Sequence, residues 1–368
     1  MLRFLFLICV FLQASIAFAQ HSVDINIFSR EPADHYVFRV LEGRYYIVDV
    51  DGSTYHFPQH SSVHIERKNN AFEIRTDSLF IAKFTRPYFR ALGDFNTFFI
   101  VDAKEKYRAR QYDDDLSLQW YDEKVRLVNH VHIEKYVAGV VESEVGHFKD
   151  PDFLQAQAVI VRSYALRNRE KHFDEGINLC DAVHCQVYKS RAYYKNAIQI
   201  QHAVMATKGL VLLNNKRSII DATFFSNCGG NTANSEDVWS SQVSYLRSIQ
   251  DPHCKHSDHY NWKKELSKKE VENYLGIKLN KQTTLKKSDK YFPESKKKLT
   301  AFRSNFKLPS CDFKMKKKGK HIHLEGLGFG HGVGLCQEGA AAMGSNGFSF
   351  REILHFYYKN IFIDHKDL

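Results

Sequence analysis

Apolar and polar residues alternate in short runs over the first third of the chain, with turn residues between the runs. The run YYIVDV is followed by Asp51-Gly52, and the run SVHIERK is followed by Asn69-Asn70 and then by FEIRT. A period of two is typical of strands with one buried face, and such residue pairs between the runs favour hairpins. The pattern predicts a small β-rich module over residues 20–125.

After His132 the period lengthens to about 3.6 residues, which is typical of a helix. The apolar positions, which recur with helical spacing, are Ile133, Val137, Val140 and Val141. They predict a helix with one apolar stripe. Glu144 continues that stripe, whereas Glu142 is predicted on the opposite face.

Cap signals mark two further helices. Asp150 before Pro151 is an N-cap residue followed by proline at the first helical position. Ser349 and Glu352 have the spacing of a capping box. Between these helices, LVLL, Asn214-Asn215 and SIIDATFF predict a hairpin. The whole pattern predicts an α+β fold, in which the β-rich module precedes a helical main domain with β elements over residues 126–368.

The N-terminal segment MLRFLFLICVFLQASIAFAQ has the order of a secretory signal peptide. One Arg precedes an apolar run of about eleven residues, and Ala17-Phe18-Ala19 gives a small-x-small end. The run is shorter than the roughly twenty residues that span a bilayer. The sequence therefore predicts a signal peptide over residues 1–19, and export of the protein to the periplasm or the cell exterior.

Basic residues are concentrated in one segment. The formal net charge is +10, and residues 263–320 contain 19 Lys or Arg against six acids. Such a segment suits an anionic polymer, a membrane surface or nucleic acid, and it also suits a solvated charged insertion. Export disfavours nucleic acid as a partner.

Two cysteines and two histidines lie close together in the sequence. Cys180, His184 and Cys185 follow His172 within a short stretch. Two thiolates and two imidazoles are a suitable ligand set for a structural zinc ion. The alternatives are a disulfide between Cys180 and Cys185, or free thiols, because an exported chain permits both.

Glu144 is the first candidate for acid–base chemistry. A carboxyl group on an apolar helix face loses hydration, which raises its pKa toward values useful for a proton donor. The alternative is a salt-bridged or partly solvated glutamate near a helix end.

Two glycine-rich segments are candidates for ligand binding. In the first, SNCGGNT, tandem glycines allow close backbone approach to a polar ligand such as a sugar, on which the nearby Trp239 would stack. The alternative is a tight loop before a buried tryptophan. The second segment, GLGFGHGVGLCQ, lacks the strand and helix context of a dinucleotide-binding loop. It suits a histidine presented at a crowded backbone crossing, or a glycine-packed turn.

These segments resemble the SpoIID/LytB domain family in order, from about Leu127 to the C-terminus. The matching strings are HIEKYVAGVVESE, LQAQAVIVRS, CDAVHCQVY, SNCGGNT and GFGHGVGLCQEGA. The last string is the most specific. The chain departs from the family at Val145-Gly146, where Met-Pro is frequent, and in its basic segment over residues 263–320.

The resemblance implies a lytic transglycosylase that cuts the MurNAc-β-1,4-GlcNAc bond of peptidoglycan glycan strands, with Glu144 as acid and base. It implies zinc with a fold-holding role at His172, Cys180, His184 and Cys185, and a disulfide between Cys228 and Cys254. The residues that it places at the substrate are Ser226, Asn227, Gly229, Gly230, Thr232, Trp239, Arg303, His331 and Gln337.

Two other functions remain open at this stage. LytB-type relatives bind peptidoglycan and enhance a separate cell-wall amidase, which makes a non-catalytic wall-binding protein the main alternative. A zinc hydrolase that uses Cys180, His184 and Cys185 is the other. For the enzyme, the expected partners are glycan strands, including strands without stem peptides.

Overall fold

The computed structural model describes residues 21–104, 106–193, 196–279, 282–293 and 295–366. The predicted signal peptide, residues 1–19, lies outside this part of the chain. Strands and helices occur in mixed order, which confirms the α+β fold class. Within the described residues, each helix is too short or too polar to cross a bilayer.

The chain folds into two compact units. The first unit contains the described residues up to 147, residues 165–209 and Lys366. The second unit contains residues 148–164 and 210–365. The strand Lys124–His132 passes through the predicted border between residues 125 and 126, so the β-rich region and the helix after it share one unit.

Two sheets form most of the first unit. Its strands, β1 to β13 in chain order, are Ser22–Ile27, His35–Glu42, Tyr45–Val48, Thr54–Phe57, Ser62–Lys68, Ala71–Arg75, Phe80–Phe84, Tyr88–Ala91, Thr97–Asp102, Arg110–Asp113, Asp115–Tyr121, Lys124–His132 and Leu179–Cys180. One sheet has the order β13-β1-β12-β11-β8-β3-β4, and the other has the order β10-β9-β2-β5-β6-β7. The short β13 runs parallel to β1, which places Cys180 at the edge of the first sheet.

Aromatic side chains join the two sheets of the first unit. Phe38 on β2 stacks on Phe89 of β8 at 4.5 Å between ring centroids, and on Phe98 of β9 at 5.1 Å. All three rings are fully buried. Each such side chain contributes roughly 1.5–3 kcal/mol by leaving water. The alternating burial along β2 agrees with the period-two pattern of the sequence.

Both predicted hairpins of this region are confirmed. β3 and β4 pair antiparallel around Asp51-Gly52, and β5 and β6 pair around Asn69-Asn70. Gly52 has φ +88° and Asn69 has φ +56°, so each turn contains a residue type that tolerates the left-handed region.

The cap signals also predict helix ends correctly. The helices α1 to α8 of the described residues are Ile133–Val145, Pro151–Arg167, Ala197–Ala206, Ser235–Val238, Lys268–Leu275, Leu299–Asn305, Gln337–Ser345 and Phe350–Tyr357. Asp150 Oδ1 accepts a hydrogen bond from the Phe153 N–H at 2.9 Å, as expected of an N-cap. Ser349 and Glu352 form the predicted capping box at the start of α8.

Helix α1 crosses the segment 188–190 at very short range. A Cβ atom on Gly139 would lie 2.4 Å from the Ser190 carbonyl oxygen and 2.5 Å from Cε2 of Tyr188. We therefore expect Gly139→Ala to lower the free energy of unfolding by about 1–3 kcal/mol, because the added methyl group overpacks the crossing. Denaturant unfolding measures the effect. A loss below about 0.5 kcal/mol, as for a surface change, would contradict this close contact.

The second unit contains one larger sheet and two strand pairs. Its strands, β14 to β21, are Leu210–Leu213, Phe224–Phe225, Asn261–Ser267, Gln282–Leu285, Phe313–Lys318, His321–Leu327, Leu335–Cys336 and Phe362–His365. The larger sheet has the order β16-β19-β18-β17. β15 and β20 pair in parallel, which brings the two glycine-rich segments of the sequence together.

The predicted hairpin over residues 210–225 forms only next to its turn. The Ile220 N–H donates to the Leu212 carbonyl oxygen at 3.0 Å and the Asn214 N–H donates to the Ser218 carbonyl oxygen at 2.9 Å, on either side of a bridge between Leu213 and Ile219. The longer pairing of β14 is antiparallel with the distant β21. All four residues of β14 are buried. A strand that is buried on both faces takes its partner from tertiary packing, and local pattern does not identify that partner.

The basic segment is folded. Its described residues supply a hydrophobic core of their own within the second unit, which includes Phe302, Phe313 and Met315. Along β18, Phe313 and Met315 point inward while the neighbouring lysines are exposed. The high positive charge is therefore compatible with an ordered structure whose charged side chains face water.

Candidate functional site

Glu144 lies in the last turn of α1 and is half-buried. Its Oε1 accepts a hydrogen bond from the Val187 N–H at 3.0 Å. Burial raises the pKa of the Glu144 carboxyl above its ordinary value of 4.5, although the Val187 hydrogen bond and the Lys189 charge act in the opposite direction. A raised pKa favours the protonated form, which is the form that a proton donor needs.

Glu142 lies on the same helix and is also half-buried. Its Oε2 accepts a hydrogen bond from the Tyr193 N–H at 3.2 Å. Helix α1 is buried on most of its surface, with Glu134, Ala138 and Gly139 buried as well as the apolar stripe. Helical phase therefore separates the two glutamates less clearly than the sequence predicts, and their hydrogen-bond partners distinguish them better.

The segment that binds Glu144 is also fixed by its neighbours on α1. Ser143 Oγ accepts a hydrogen bond from the Lys189 N–H at 3.1 Å and donates one to the Gly139 carbonyl at 2.7 Å. Tyr136 Oη donates to Gln186 Oε1 at 3.2 Å. Helix α1 thus holds segment 186–189 through three side chains, one near its start and two near its end, and the Glu144 carboxyl has a fixed position at that end.

The predicted metal ligands come together in the first unit. One ligand atom each from His172, Cys180, His184 and Cys185 lies within 4.8 Å of the other three. Both cysteines are buried and unbonded to each other. Hydrogen bonding from Cys185 lowers the pKa of the Cys180 thiol to about 5, which favours the thiolate. This set of two sulfurs and two imidazole nitrogens fits a tetrahedral Zn²⁺ ion with a complete ligand shell.

His172 is oriented by a carboxylate. Its Nδ1 lies 2.6 Å from Glu175 Oε1, while its Nε2 lies 3.3 Å from Cys185 Sγ. Arg126 donates to the other Glu175 oxygen at 2.9 Å. A carboxylate on one imidazole nitrogen fixes the tautomer and directs the other nitrogen to a metal. Sequence spacing did not reveal Glu175 or Arg126, because their role depends on the folded position of His172.

In the second unit, the two glycine-rich segments cross at backbone contact. Asn227 and Phe329 exchange two backbone hydrogen bonds, at 3.0 and 2.8 Å. A Cβ atom on Gly229 would lie 2.7 Å from Leu327 Cβ, and one on Gly328 would lie 2.7 Å from the Asn227 carbonyl oxygen. Both glycines have positive φ. The glycines are therefore required by the crossing itself.

His331 is held by backbone on both ring nitrogens. Its Nδ1 accepts a hydrogen bond from the Val333 N–H at 3.1 Å, and its Nε2 lies 3.1 Å from the Phe224 carbonyl oxygen. Burial lowers the pKa of His331 from 6.5 to about 4, so the ring is neutral at neutral pH. The ring centroids of Trp239 and His331 are 5.4 Å apart, and Trp239 is 41% exposed. The tryptophan is thus available for stacking, in contrast to the buried alternative.

The remaining predicted substrate residues differ in what they offer. Asn227 and Thr232 are buried, and Thr232 Oγ1 accepts from the Ile249 N–H at 2.9 Å, so these side chains shape the loop. Gly230 also accepts a backbone hydrogen bond, from Asp251. Arg303 donates through Nε to two backbone carbonyl oxygens. Gln337 is buried, and its Nε2 has no hydrogen-bond partner among the described residues.

A carboxylate network that the sequence did not reveal surrounds Ser226. Ser226 Oγ donates to Glu338 Oε1 at 3.2 Å, and Asn227 Nδ2 donates to Glu338 Oε2 at 2.6 Å. His259 Nδ1 also contacts Glu338 Oε1. The one sequence signal for Glu338 is its position directly after Gln337 in the glycine-rich segment. His259 lies outside every motif, so the sequence offers no signal for it.

The disulfide expected between Cys228 and Cys254 is absent from the structure. Both are free cysteines, and their sulfur atoms are 3.3 Å apart. Cys336 and Asp251 also reach these two sulfurs. Four groups therefore share the space in which the sequence predicts a pair.

Comparisons with known proteins decide the family. A family model described as stage II sporulation protein, SpoIID, matches residues 121–213. Stage II sporulation protein D of Bacillus amyloliquefaciens is 33% identical over 263 residues, which cover 65% of this chain and 76% of that protein. Stage II sporulation protein D of Bacillus subtilis is 31% identical over 275 residues, which cover 68% of this chain and 80% of that protein. The chain belongs to the SpoIID family.

The SpoIID match includes the whole candidate site of the first unit. Glu144 and the four metal-ligand candidates all fall within residues 121–213. A more distant relative, the amidase enhancer of Bacillus subtilis, is 26% identical over 294 residues, which cover 60% of this chain and 39% of that protein. The predicted substrate residues of this SpoIID protein lie in the second unit.

Proposed function

We propose that this SpoIID protein is an exported lytic transglycosylase that cuts MurNAc-β-1,4-GlcNAc bonds and leaves 1,6-anhydroMurNAc ends. The observation that carries the proposal is the half-buried Glu144, whose carboxyl has a raised pKa and a fixed hydrogen bond to Val187. Export rests on the N-terminal segment, residues 1–19. The substrate is then a peptidoglycan glycan strand outside the cytoplasm, with no role for nucleic acid.

One carboxyl group is sufficient for both halves of this reaction. Glu144 first donates its proton to the glycosidic oxygen, and the bond from C1 of MurNAc to that oxygen breaks. The 6-hydroxyl of the same MurNAc then attacks C1 and returns its proton to Glu144, which restores the starting state. A glycosidase that uses water needs a second carboxylate as nucleophile or base. The internal hydroxyl makes that second group unnecessary.

The second unit supplies groups suited to sugar binding. The exposed Trp239 offers an aromatic face for a pyranose ring. Arg303 lies close enough to His331 for its charge to affect the pKa of that ring. We assign these residues to binding rather than to proton transfer.

Zinc at His172, Cys180, His184 and Cys185 has a structural role in this proposal. With four protein ligands the ion has no open position for substrate or water. Its chemistry is limited to holding its ligands together. Since Cys185 lies two residues before Val187, the ligand set fixes one end of the segment that binds Glu144.

The raised pKa of Glu144 predicts how stability depends on pH. A carboxyl group with a higher pKa in the folded state stabilises the fold below its unfolded pKa, and that contribution is lost as pH rises through the folded value. The glutamine in Glu144→Gln does not ionise. The melting temperature of the variant minus that of the wild type should therefore increase as pH rises from about 4 to 8. Thermal unfolding across this range measures the difference. A difference that stays constant with pH would show that burial does not perturb Glu144.

A peptidoglycan-binding protein that enhances a cell-wall amidase is the second candidate, and the similarity to the amidase enhancer favours it. Purified protein mixed with glycan strands that lack stem peptides separates the two. The enzyme releases anhydro-muramyl products, and these vanish with Glu144→Gln. Binding without products, unchanged by the substitution, supports the enhancer and excludes the enzyme.

A further inference from the structure

Four buried ligand-type groups meet in the second unit, whereas the residues of the predicted zinc site belong to the first. They are the thiols of Cys228, Cys254 and Cys336 and the carboxylate of Asp251. One atom from each lies within 4.8 Å of the other three, and each residue is at most 1% exposed. Buried polar groups at this density require a common partner or a dense hydrogen-bond network.

The backbone brings these groups together from three separate segments. The parallel pair β15–β20 aligns Phe225 with Cys336, and Cys228 follows at the same end of the pair. Asp251 lies two residues before the 3-10 helix His253–His256, and Cys254 lies within that helix. The cluster therefore joins the two glycine-rich segments to a third loop, as structural metal sites often do.

The observed distances fit a tetrahedral ion. Cys228 Sγ lies 3.3 Å from Cys254 Sγ and 3.2 Å from Asp251 Oδ2. Bond lengths of about 2.3 Å to sulfur and about 2.0–2.2 Å to oxygen separate neighbouring ligand atoms by roughly 3.5–3.8 Å around Zn²⁺. Small side-chain rotations bring the cluster to that size.

Two backbone amides are directed at the sulfur of Cys336, although burial and the neighbouring Cys228 and Cys254 raise the pKa of this thiol. Its sulfur accepts hydrogen bonds from the Cys228 N–H at 3.2 Å and from the Gly339 N–H at 3.4 Å. It is also the N-cap residue of α7. Amide donors and a helix N-terminus both stabilise negative charge on sulfur.

Asp251 is positioned as a ligand by its own partners. Its Oδ1 accepts from the His253 N–H at 2.9 Å, and its Oδ2 accepts from Tyr357 Oη at 2.8 Å. A Cβ atom on Gly339 would lie 2.3 Å from Asp251 Oδ2, so glycine at this position gives the carboxylate access to the sulfurs. Hydrogen bonds of this kind orient metal-binding carboxylates.

A positive charge lies beside the cluster. Lys287 is buried, and its ammonium group donates to the carbonyl oxygens of Cys228 and Asn231, the latter at 2.9 Å. Zn²⁺ with three thiolates and one carboxylate carries a net charge of about −2, which a neighbouring ammonium group and a helix N-terminus offset. Binding would release one proton from each thiol.

We propose that Cys228, Asp251, Cys254 and Cys336 form a second structural Zn²⁺ site. The alternative is a disulfide between Cys228 and Cys254. A disulfide would use only two of the sulfurs. It would give no role to the Cys336 thiol, which accepts two amide hydrogen bonds, or to the Asp251 carboxylate, for which Gly339 leaves room. The metal site accounts for all four groups. It fixes the glycine-rich crossing whether or not the protein cuts glycan strands.

Zinc content measured by elemental analysis of the purified, secreted chain tests the proposal. The variant Cys180→Ser with Cys185→Ser lacks the first site, and we expect it to retain about one zinc ion per chain. Adding Cys336→Ser to this variant should remove that ion. Cys311→Ser is the matched control, since Cys311 is a half-buried cysteine of the same unit outside the cluster. It should leave the content unchanged.

X-ray absorption at the zinc edge keeps the test independent of how the variants fold. For the wild type we expect two zinc ions per chain and an average of about 2.5 sulfur ligands per ion, from one site with two thiolates and one with three. One ion with three sulfur ligands would support the second site and contradict the first. One ion with two sulfur ligands, together with a denatured mass lower by two hydrogens, would establish the disulfide and overturn the proposal.

Discussion

Glu144→Gln is expected to lower the rate of glycan-strand cleavage by about 10²- to 10⁴-fold, the usual contribution of a general acid–base group. The amide oxygen can still accept the Val187 hydrogen bond, which is 3.0 Å long in the wild type, so the end of α1 keeps its position. What is lost is the proton that the glycosidic oxygen needs. The rate is measured as the release of soluble saccharide fragments from purified glycan strands that lack stem peptides.

Glu142→Gln is the matched control for this substitution. Glu142 lies on the same helix, is also half-buried, and likewise accepts a backbone hydrogen bond, from Tyr193. We expect this variant to keep the wild-type rate within about threefold, since an ordinary hydrogen bond away from the reacting atoms is replaced by another of similar strength. Equal losses in both variants would show that the end of α1 matters for the fold, and that Glu144 has no special chemical role.

Removal of the proposed zinc ion from the first unit is expected to have the second large effect. We expect Cys185→Ser to lower the free energy of unfolding by about 3–4 kcal/mol, the linkage value for one ion present at about 100–1,000 times its Kd, and a strong chelator, which would also remove an ion from the second proposed site, to lower it by at least as much. The cost arises because a bound ion stabilises only the folded state. Thermal unfolding with and without chelator, followed by added Zn²⁺, measures it.

Two outcomes distinguish the structural role from a catalytic one. Glu175→Gln should weaken zinc binding by about 10- to 100-fold, because Glu175 orients His172 from behind. Any activity that the Glu175→Gln variant loses with its zinc should return when zinc is added in excess. If chelation instead abolishes turnover while the melting temperature stays constant, the ion acts in the reaction and the protein is a zinc hydrolase.

Turn and cap residues in the sequence correctly predicted those parts of the fold that are determined by neighbouring residues. The hairpins at Asp51-Gly52 and Asn69-Asn70 and the N-cap at Asp150 each depend on a few adjacent residues, and each is confirmed. The pairing of Leu210–Leu213 with Phe362–His365 depends on two segments about 150 residues apart, and the sequence pattern indicated only the short pairing next to the turn at Asn214-Asn215.

The candidate site shows the same division. His172, Cys180, His184 and Cys185 lie within a short stretch, and spacing alone brought them together as a ligand set. The partners Glu175 and Arg126 became visible only in the folded structure. Cys228 and Cys254 were paired by their resemblance to a family pattern, which did not anticipate Asp251 and Cys336 beside them.

The central claim is that the muramyl 6-hydroxyl, and not water, completes the reaction that Glu144 begins. Cleavage of stem-peptide-free glycan strands in water enriched with ¹⁸O tests it most directly, with mass spectrometry of the new muramyl ends. We expect 1,6-anhydro ends that contain no ¹⁸O and that are lighter by one water than reducing ends. Reducing ends that carry one ¹⁸O atom would show hydrolysis and contradict the proposed mechanism.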